Sequence, residues 1–161
     1  MTISGWNTKY RQIVQEFGYS KKNDNDSTIL LDSIIKRRFS LTRLKKMICG
    51  KTIFVIGAGP SLQSSIDTLK KHKDKVMICA DGAVTFLIQN GVRPAIVVTD
   101  LDGDLELLKK IKKTNTVFVV HAHGDNMDRL DFVRNFKNCI GTTQTEEIGK
   151  VCNFGGFTDG D

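Results

Sequence analysis

The sequence predicts an α/β fold: a Rossmann-like, doubly wound and mostly parallel sheet preceded by an N-terminal helical segment. Three observations carry this reading. Thr52 to Ile56, Val76 to Ala80, Ala95 to Thr99 and Val117 to His121 are near-continuous apolar runs, the pattern of strands covered on both faces. Helical patterns alternate with them, as right-handed βαβ crossovers require. No such run occurs before Lys51, where the apolar spacing is helical instead.

In chain order, Trp6, Tyr10, Ile13, Val14 and Phe17 recur at three- and four-residue steps and Gly18 closes the pattern, which predicts an amphipathic helix ended by glycine. Lys21 to Ser27 is a polar stretch. Leu30, Ile34, Leu41, Leu44 and Ile48 then mark a second helix or helix pair ended by Gly50. The first domain is therefore 1–50, a helical segment, and the second is 51–161, the sheet domain. Within the latter, helices are expected at Ser61 to His72, Ala83 to Asn90, Leu105 to Lys112 and Met127 to Phe136, with a fifth, weaker strand at Asn138 to Ile140.

The composition narrows the class. With 161 residues, 40% apolar and 26% charged, the chain can bury a core, which excludes a disordered or fibrous protein. The net charge of +6 resides in residues 1–50, where ten Lys/Arg face four Asp/Glu, while residues 51–161 hold fourteen of each. Lys36-Arg37-Arg38 and Arg43 to Lys46 could attract nucleic acid, but they fall on a helical pattern with an apolar opposite face and no aromatic platform, so a solvated helix face is expected and no nucleic-acid partner. No apolar run approaches the roughly 20 residues of a membrane helix, and Met1 to Tyr10 lacks the apolar core of a signal peptide. A cytoplasmic protein without a membrane partner is expected. Cys49, Cys79, Cys139 and Cys152 lack Cys-x-x-Cys spacing and read as buried free thiols.

In open α/β sheets ligands bind beyond the carboxyl ends of the strands, so the residues at those ends locate the chemistry. After the first strand, Gly57-Ala58-Gly59-Pro60-Ser61-Leu62 allows close backbone approach to an anion at a helix start. The third glycine of a dinucleotide fingerprint is absent, as are the P-loop lysine and its Ser/Thr; a plain strand-to-helix turn is the competing reading. After the second strand, Asp81-Gly82 offers either a helix cap or the ribose carboxylate of a dinucleotide site, 24 residues beyond Gly57.

The third strand ends in Thr99-Asp100-Leu101-Asp102-Gly103-Asp104. Three carboxylates within five residues repel one another unless a cation or protons neutralise them, and oxygen ligands in a loop suit Mg²⁺. An EF-hand is excluded because its twelfth position would be Ile111. A helix cap at Asp104 with two solvated neighbours is the bland alternative. The cluster also speaks against hydride transfer, since uncompensated carboxylates would repel a pyrophosphate.

The fourth strand ends in His121-Ala122-His123-Gly124-Asp125-Asn126, where the two histidines share one face of extended chain. Zinc would need a further ligand, and His72 stands on a predicted helix. Ligand or phosphate contacts are preferred for the histidines and a metal contact for Asp125, with a structural histidine as the alternative at either position. Gly141-Thr142-Thr143-Gln144 and the segment from Asn153 to Asp161, with Phe154, Phe157, Thr158 and Asp159, supply two more polar loops.

These segments in this order, GAGPSL, ADGA, TDLDGD, HAHGDN, GTTQ and NFGGFTDGD, resemble the MptE-type 6-hydroxymethyl-7,8-dihydropterin pyrophosphokinase family, whose fold is related to that of thiamin pyrophosphokinase. Trp6, Tyr10 and Phe17-Gly18-Tyr19-Ser20 resemble that family's leading helices. The resemblance implies ATP- and Mg²⁺-dependent transfer of a diphosphoryl group to the hydroxymethyl of a reduced pterin, releasing AMP. It places catalysis on Asp100, Asp102, His123 and Asp125, and metal on Asp100, Asp102, Asp125 and Asp159. Nucleotide and phosphate contacts are expected from Gly57, Gly59, Ser61, Asp81, Gly82, Thr142, Thr143 and Gln144. Substrate contacts are expected from His121, Asn126, Phe157 and Thr158; which histidine acts as a base stays open, as does a homodimer. The family's chains continue beyond the corresponding Asp-Gly-Asp, so the sheet domain is expected to be incomplete. A glycosyltransferase or another nucleotide-diphosphate enzyme of related fold is the alternative reading.

Overall fold

A computed structural model describes residues 3–112, 114–158 and 160. Three helices lead: α1 (Trp6–Phe17), α2 (Lys21–Ile34) and α3 (Leu41–Ile48). The sheet domain then alternates β1 (Ile53–Ile56), α4 (Ser61–Lys71), β2 (Val76–Ala80), α5 (Asp81–Gln89), β3 (Ile96–Thr99), α6 (Leu105–Ile111) and β4 (Val117–Ala122). A 3₁₀ helix, Leu130–Asn135, leads into β5 (Cys139–Thr143) and β6 (Val151–Cys152). From β1 to β4 the elements fall close to their expected places, and the fourth expected helix of the sheet domain is a short 3₁₀ helix. β6, two residues long, is below the reach of pattern reading.

The expected α/β class, the parallel sheet and the leading helices are all present. Among the described residues the six strands lie in chain order, β1 to β6, each parallel to its neighbour and with no reversal in the order. The reason lies in which helices cover which face. Met77, Cys79, Val97, Phe118 and Val120 share one apolar cluster with Leu69 of α4, Val84 and Leu87 of α5, Leu108 of α6 and Val133 of the 3₁₀ helix. The crossover helices thus cover a single face, joined by Leu31 and Ile34 of α2. The opposite face, with Ile96, Val117, Val119 and Ile140, is covered by Leu41, Leu44, Met47 and Ile48 of α3, so the second layer comes from the leading segment.

α2 also departs from expectation, because it begins inside the stretch Lys21 to Ser27 whose polarity suggested a connection. Its Ser20 hydroxyl accepts from the Asn23 N–H as an N-cap. The inner face of its first turns is polar, with Asp24, Ser27 and Thr28 all buried. The Ser27 and Thr28 hydroxyls donate back to the Asp24 carbonyl, and Thr28 Oγ1 meets Thr143 Oγ1 of β5 at 2.7 Å. A helix whose buried stripe is made of hydroxyls and a carboxylate shows no apolar period. Among the described residues no helix is long and apolar enough to cross a membrane.

Candidate active site

Parallel register assembles the acidic group. Ala80 of β2 pairs with Val98 of β3, so Asp81, the next residue on one chain, stands beside Thr99 and Asp100 on the other. The Thr99 hydroxyl donates to Asp81 Oδ2 at 2.6 Å and accepts the Leu101 N–H at 2.8 Å. Beyond it the Asp102 N–H donates to Asp100 Oδ1 at 3.1 Å. Leu101 takes a left-handed backbone, φ 69°, which a non-glycine residue adopts at a cost of about 1 kcal/mol. Its side chain is buried in the main core, a gain of roughly 2 kcal/mol that offsets the strain. A Cβ at Gly103 would stand 3.2 Å from the Asp81 carboxyl carbon, so any other residue there would have to move Asp81 by a few tenths of an ångström.

The outcome is three carboxylate oxygens, from Asp81, Asp100 and Asp102, all within 4.8 Å of one another. Asp81 is buried, Asp100 half-buried and Asp102 exposed, so the group opens outward. Hydrogen bonds from the His123 ring and from Asp102 hold the Asp100 carboxyl far below the usual carboxylate range, against the opposing pull of burial. An all-oxygen set of this charge suits a hard divalent cation such as Mg²⁺ and offers nothing to softer metals.

The loop after β4 faces this group. His123 Nδ1 accepts the Asp125 N–H at 3.3 Å, which leaves the proton on Nε2, 3.4 Å from Asp100 Oδ2. Asn126 is fully buried beneath the loop: its amide nitrogen donates to the carbonyls of Asp100 and His121, and its Oδ1 accepts the His123 N–H. Its polar atoms thus join two strand ends. His121 is 2% exposed, with Nε2 2.7 Å from Gln144 Oε1, and burial lowers its pKa so that the ring is neutral at pH 7. Asp125 is exposed and stands outside the three-carboxylate group; Asp159, also expected as a metal ligand, lies outside the described residues.

The residues expected to meet nucleotide and phosphate divide into two sets. Gly57, Gly59 and Ser61 form an exposed turn with open space around both glycines, and α4 begins there without a side-chain cap. Gly82 closes against it, since a side chain at Gly82 would meet Ala58 Cβ at 3.2 Å. Thr142, Thr143 and Gln144 end β5, four strands from β1, or roughly 19 Å at ordinary strand spacing. All three are buried, with Thr143 bonded to Thr28 and Gln144 to His121.

The sequence reading left the leading segment out of the site, and the structure brings it in. Asp24 of α2, 4% exposed, accepts the Gly124 N–H at 2.8 Å on Oδ1 and the Tyr10 hydroxyl at 2.6 Å on Oδ2. Trp6 Nε1 donates to the Gln144 carbonyl at 2.8 Å. Between the start of α2 and the ends of β4 and β5 lies a cavity of about 160 Å³, lined by Asp100, His123 and Gln144 on one side and by Tyr19, Asn23 and Asp24 on the other. Phe157 and Thr158 complete its wall, the Phe157 ring 5.6 Å from that of Tyr19. Asp81 as a member of the acidic group, and the α1–α2 wall as a whole, escaped sequence reasoning. The adjacency of the second and third strands pointed to the former; nothing local points to the latter.

Comparison with known proteins identifies the family. The family described as 6-hydroxymethylpterin diphosphokinase MptE-like matches residues 27–161. The 6-hydroxymethyl-7,8-dihydropterin pyrophosphokinase of Pyrococcus furiosus is 44% identical over 161 residues, spanning 97% of this chain and 68% of that protein. The enzyme of the same name from Methanocaldococcus jannaschii is 36% identical over 173 residues, spanning 100% and 72%. That of Methanothermobacter thermautotrophicus is 37% identical over 163 residues, spanning 100% and 70%. With the motif order, the parallel sheet and three relatives in agreement, the chain belongs to the MptE-like 6-hydroxymethylpterin diphosphokinase family.

Proposed function

We propose that this chain is a pyrophosphokinase that transfers a diphosphoryl group from ATP to the hydroxymethyl oxygen of 6-hydroxymethyl-7,8-dihydropterin, using Mg²⁺ and releasing AMP. One observation supports this most: the carboxylates of Asp81, Asp100 and Asp102 converge near an open glycine turn, and Asp100 also lines the cavity walled by α2, as a reaction joining a polyphosphate to a second substrate needs. The shared name of the relatives supplies the substrate class.

In this reaction the hydroxymethyl oxygen bonds to the β-phosphorus and gives up its proton to solvent, the bond from that phosphorus to the α,β-bridging oxygen breaks, and AMP departs with the bridging oxygen. Phosphoryl chemistry of this kind needs positioning and charge neutralisation more than covalent help. Mg²⁺ held by Asp81, Asp100 and Asp102 would neutralise the polyphosphate as charge shifts to the leaving oxygen. The chain's part is to keep those oxygens ionised and converged. His123 Nε2–H faces Asp100 Oδ2, and the Thr99 hydroxyl fixes Asp81. The exposed Gly57–Ser61 turn and the uncapped start of α4 suit the outer phosphates. Asp125, exposed on the cavity rim, is read as a contact for a second cation. The decisive experiment incubates the protein with ATP, Mg²⁺ and the dihydropterin. AMP and a pterin diphosphate should form one for one; ADP in place of AMP would mean transfer of a single phosphoryl group and overturn the reading.

A further inference from the structure

The leading helices carry a part of the cavity wall to which neither the motifs nor the relatives assign a role. Resting on the pyrophosphokinase reading, we infer that the flat ring of the pterin sits in the cavity between α2 and the ends of β4 and β5, with Tyr19 and Phe157 against its face and Asn23 at its polar edge.

Size is the first argument. At about 160 Å³ the cavity is smaller than the roughly 300 Å³ of sites that enclose a whole drug-sized ligand. It suits a bicyclic head better than a whole nucleoside triphosphate, whose phosphates have the open glycine side of the acidic group available. Direction is the second. The cavity reaches Asp100 and His123 at one wall, so a ring seated against the other points a short exocyclic arm toward the carboxylates, where the hydroxymethyl oxygen must react.

The wall itself is the third argument. Tyr19 is 45% exposed although its ring packs 5.6 Å from Phe157 and 5.9 Å from Phe17. An aromatic cluster left half open beside a polar cavity is a ready face for another ring. The amino and oxo groups of a pterin need a donor and an acceptor together, and the exposed Asn23 amide offers both from one side chain. A larger groove between α3 and the sheet, about 330 Å³, is the competing seat. Leu44, Ile48, Ile78, Ile96 and Val98 give it an apolar floor and His121, Thr142 and Thr158 a polar end, but none of Asp81, Asp100 and Asp102 lines it, so a hydroxymethyl arm held there does not meet the carboxylates.

Calorimetric titration of the 161-residue protein, with 6-hydroxymethyl-7,8-dihydropterin alone and separately with ATP and Mg²⁺, tests the assignment. Tyr19→Ala and Asn23→Ala should each weaken pterin binding about tenfold and change ATP binding less than twofold; circular dichroism confirms that each variant folds. Pterin affinity unmoved by both variants, equal losses for both ligands, or no pterin binding by the unaltered protein would each overturn the inference. The reaction is read separately: AMP formation by the unaltered protein upholds the pyrophosphokinase reading whatever the titrations show. Pterin binding that obeys the prediction without AMP release would defeat that reading alone.

Discussion

Two loops face each other across the candidate site, and they are held in opposite ways. The loop from Thr99 to Asp104 is fastened by its own neighbours: Thr99 to Leu101, Asp100 to Asp102, and Asp104, the N-cap of α6, to the Leu107 N–H. The loop from His123 to Asn126 also has bonds of its own, but its seat on the fold comes from far away, since Gly124 is held by Asp24, 100 residues earlier in the chain. A side chain at Gly124 would come within 2.6 Å of Asn23 Cβ, so α2 and this loop pack too closely for one. One loop carries its geometry in a hexapeptide, whereas the other borrows it from a helix in a different part of the sequence.

Substitutions can break this contrast, and the largest effect belongs to the self-held loop. Asp102→Asn should lower AMP production roughly 10³-fold, the scale for removing one charge-stabilising group, while the melting temperature moves by no more than about 2 °C. Near-normal turnover would remove Asp102 from the metal role. Gly124→Ala should slow turnover about 100-fold, because it displaces the His123 loop by part of an ångström or more; a kcat within twofold of the unaltered protein would show that the loop's docking on α2 is dispensable. Tyr10→Phe leaves the buried Asp24 one donor short and should cost about 1–2 kcal/mol in urea unfolding. Asp104→Ala removes only a cap and should cost about 1 kcal/mol.

A pH series sharpens the comparison at smaller amplitude. Burial lowers the His121 pKa in the folded state, so below the ordinary histidine range, near pH 6.5, the unfolded chain takes up a proton that the folded one resists. His121 therefore favours the fold fully above that range and progressively less as the pH drops through it. The melting temperature should fall between pH 7 and 5, and His121→Gln should flatten that fall; an unchanged slope would show that another group is responsible.

The contrast also explains what the sequence discloses. The Asp100–Asp104 cluster is legible because repulsion among carboxylates is local and demands an explanation wherever the chain runs. The strands are legible from apolar runs buried on both faces. Asp81 as a partner of Asp100 required knowing that β2 and β3 are neighbours, which chain order alone does not settle. Asp24 was hidden more deeply. It sits in a polar run that resembles a connection, and its value comes from Tyr10 and Gly124, neither of which is near it in sequence. The absence of a reversal in strand order was equally hidden, because α3 supplies from outside the sheet domain the layer that second-face crossovers provide elsewhere.

The chain-order sheet has a kinetic consequence. Each strand can add to the one before it, so β1 to β4 grow through connections of modest length and small closure entropy. The Trp6 to Gln144 hydrogen bond, by contrast, joins residues 138 apart, and the docking of Gly124 on Asp24 spans 100. Contacts of such separation form slowly. Refolding should therefore build the parallel sheet first and assemble the cavity beside α2 last, so that recovery of tryptophan burial lags behind recovery of backbone structure.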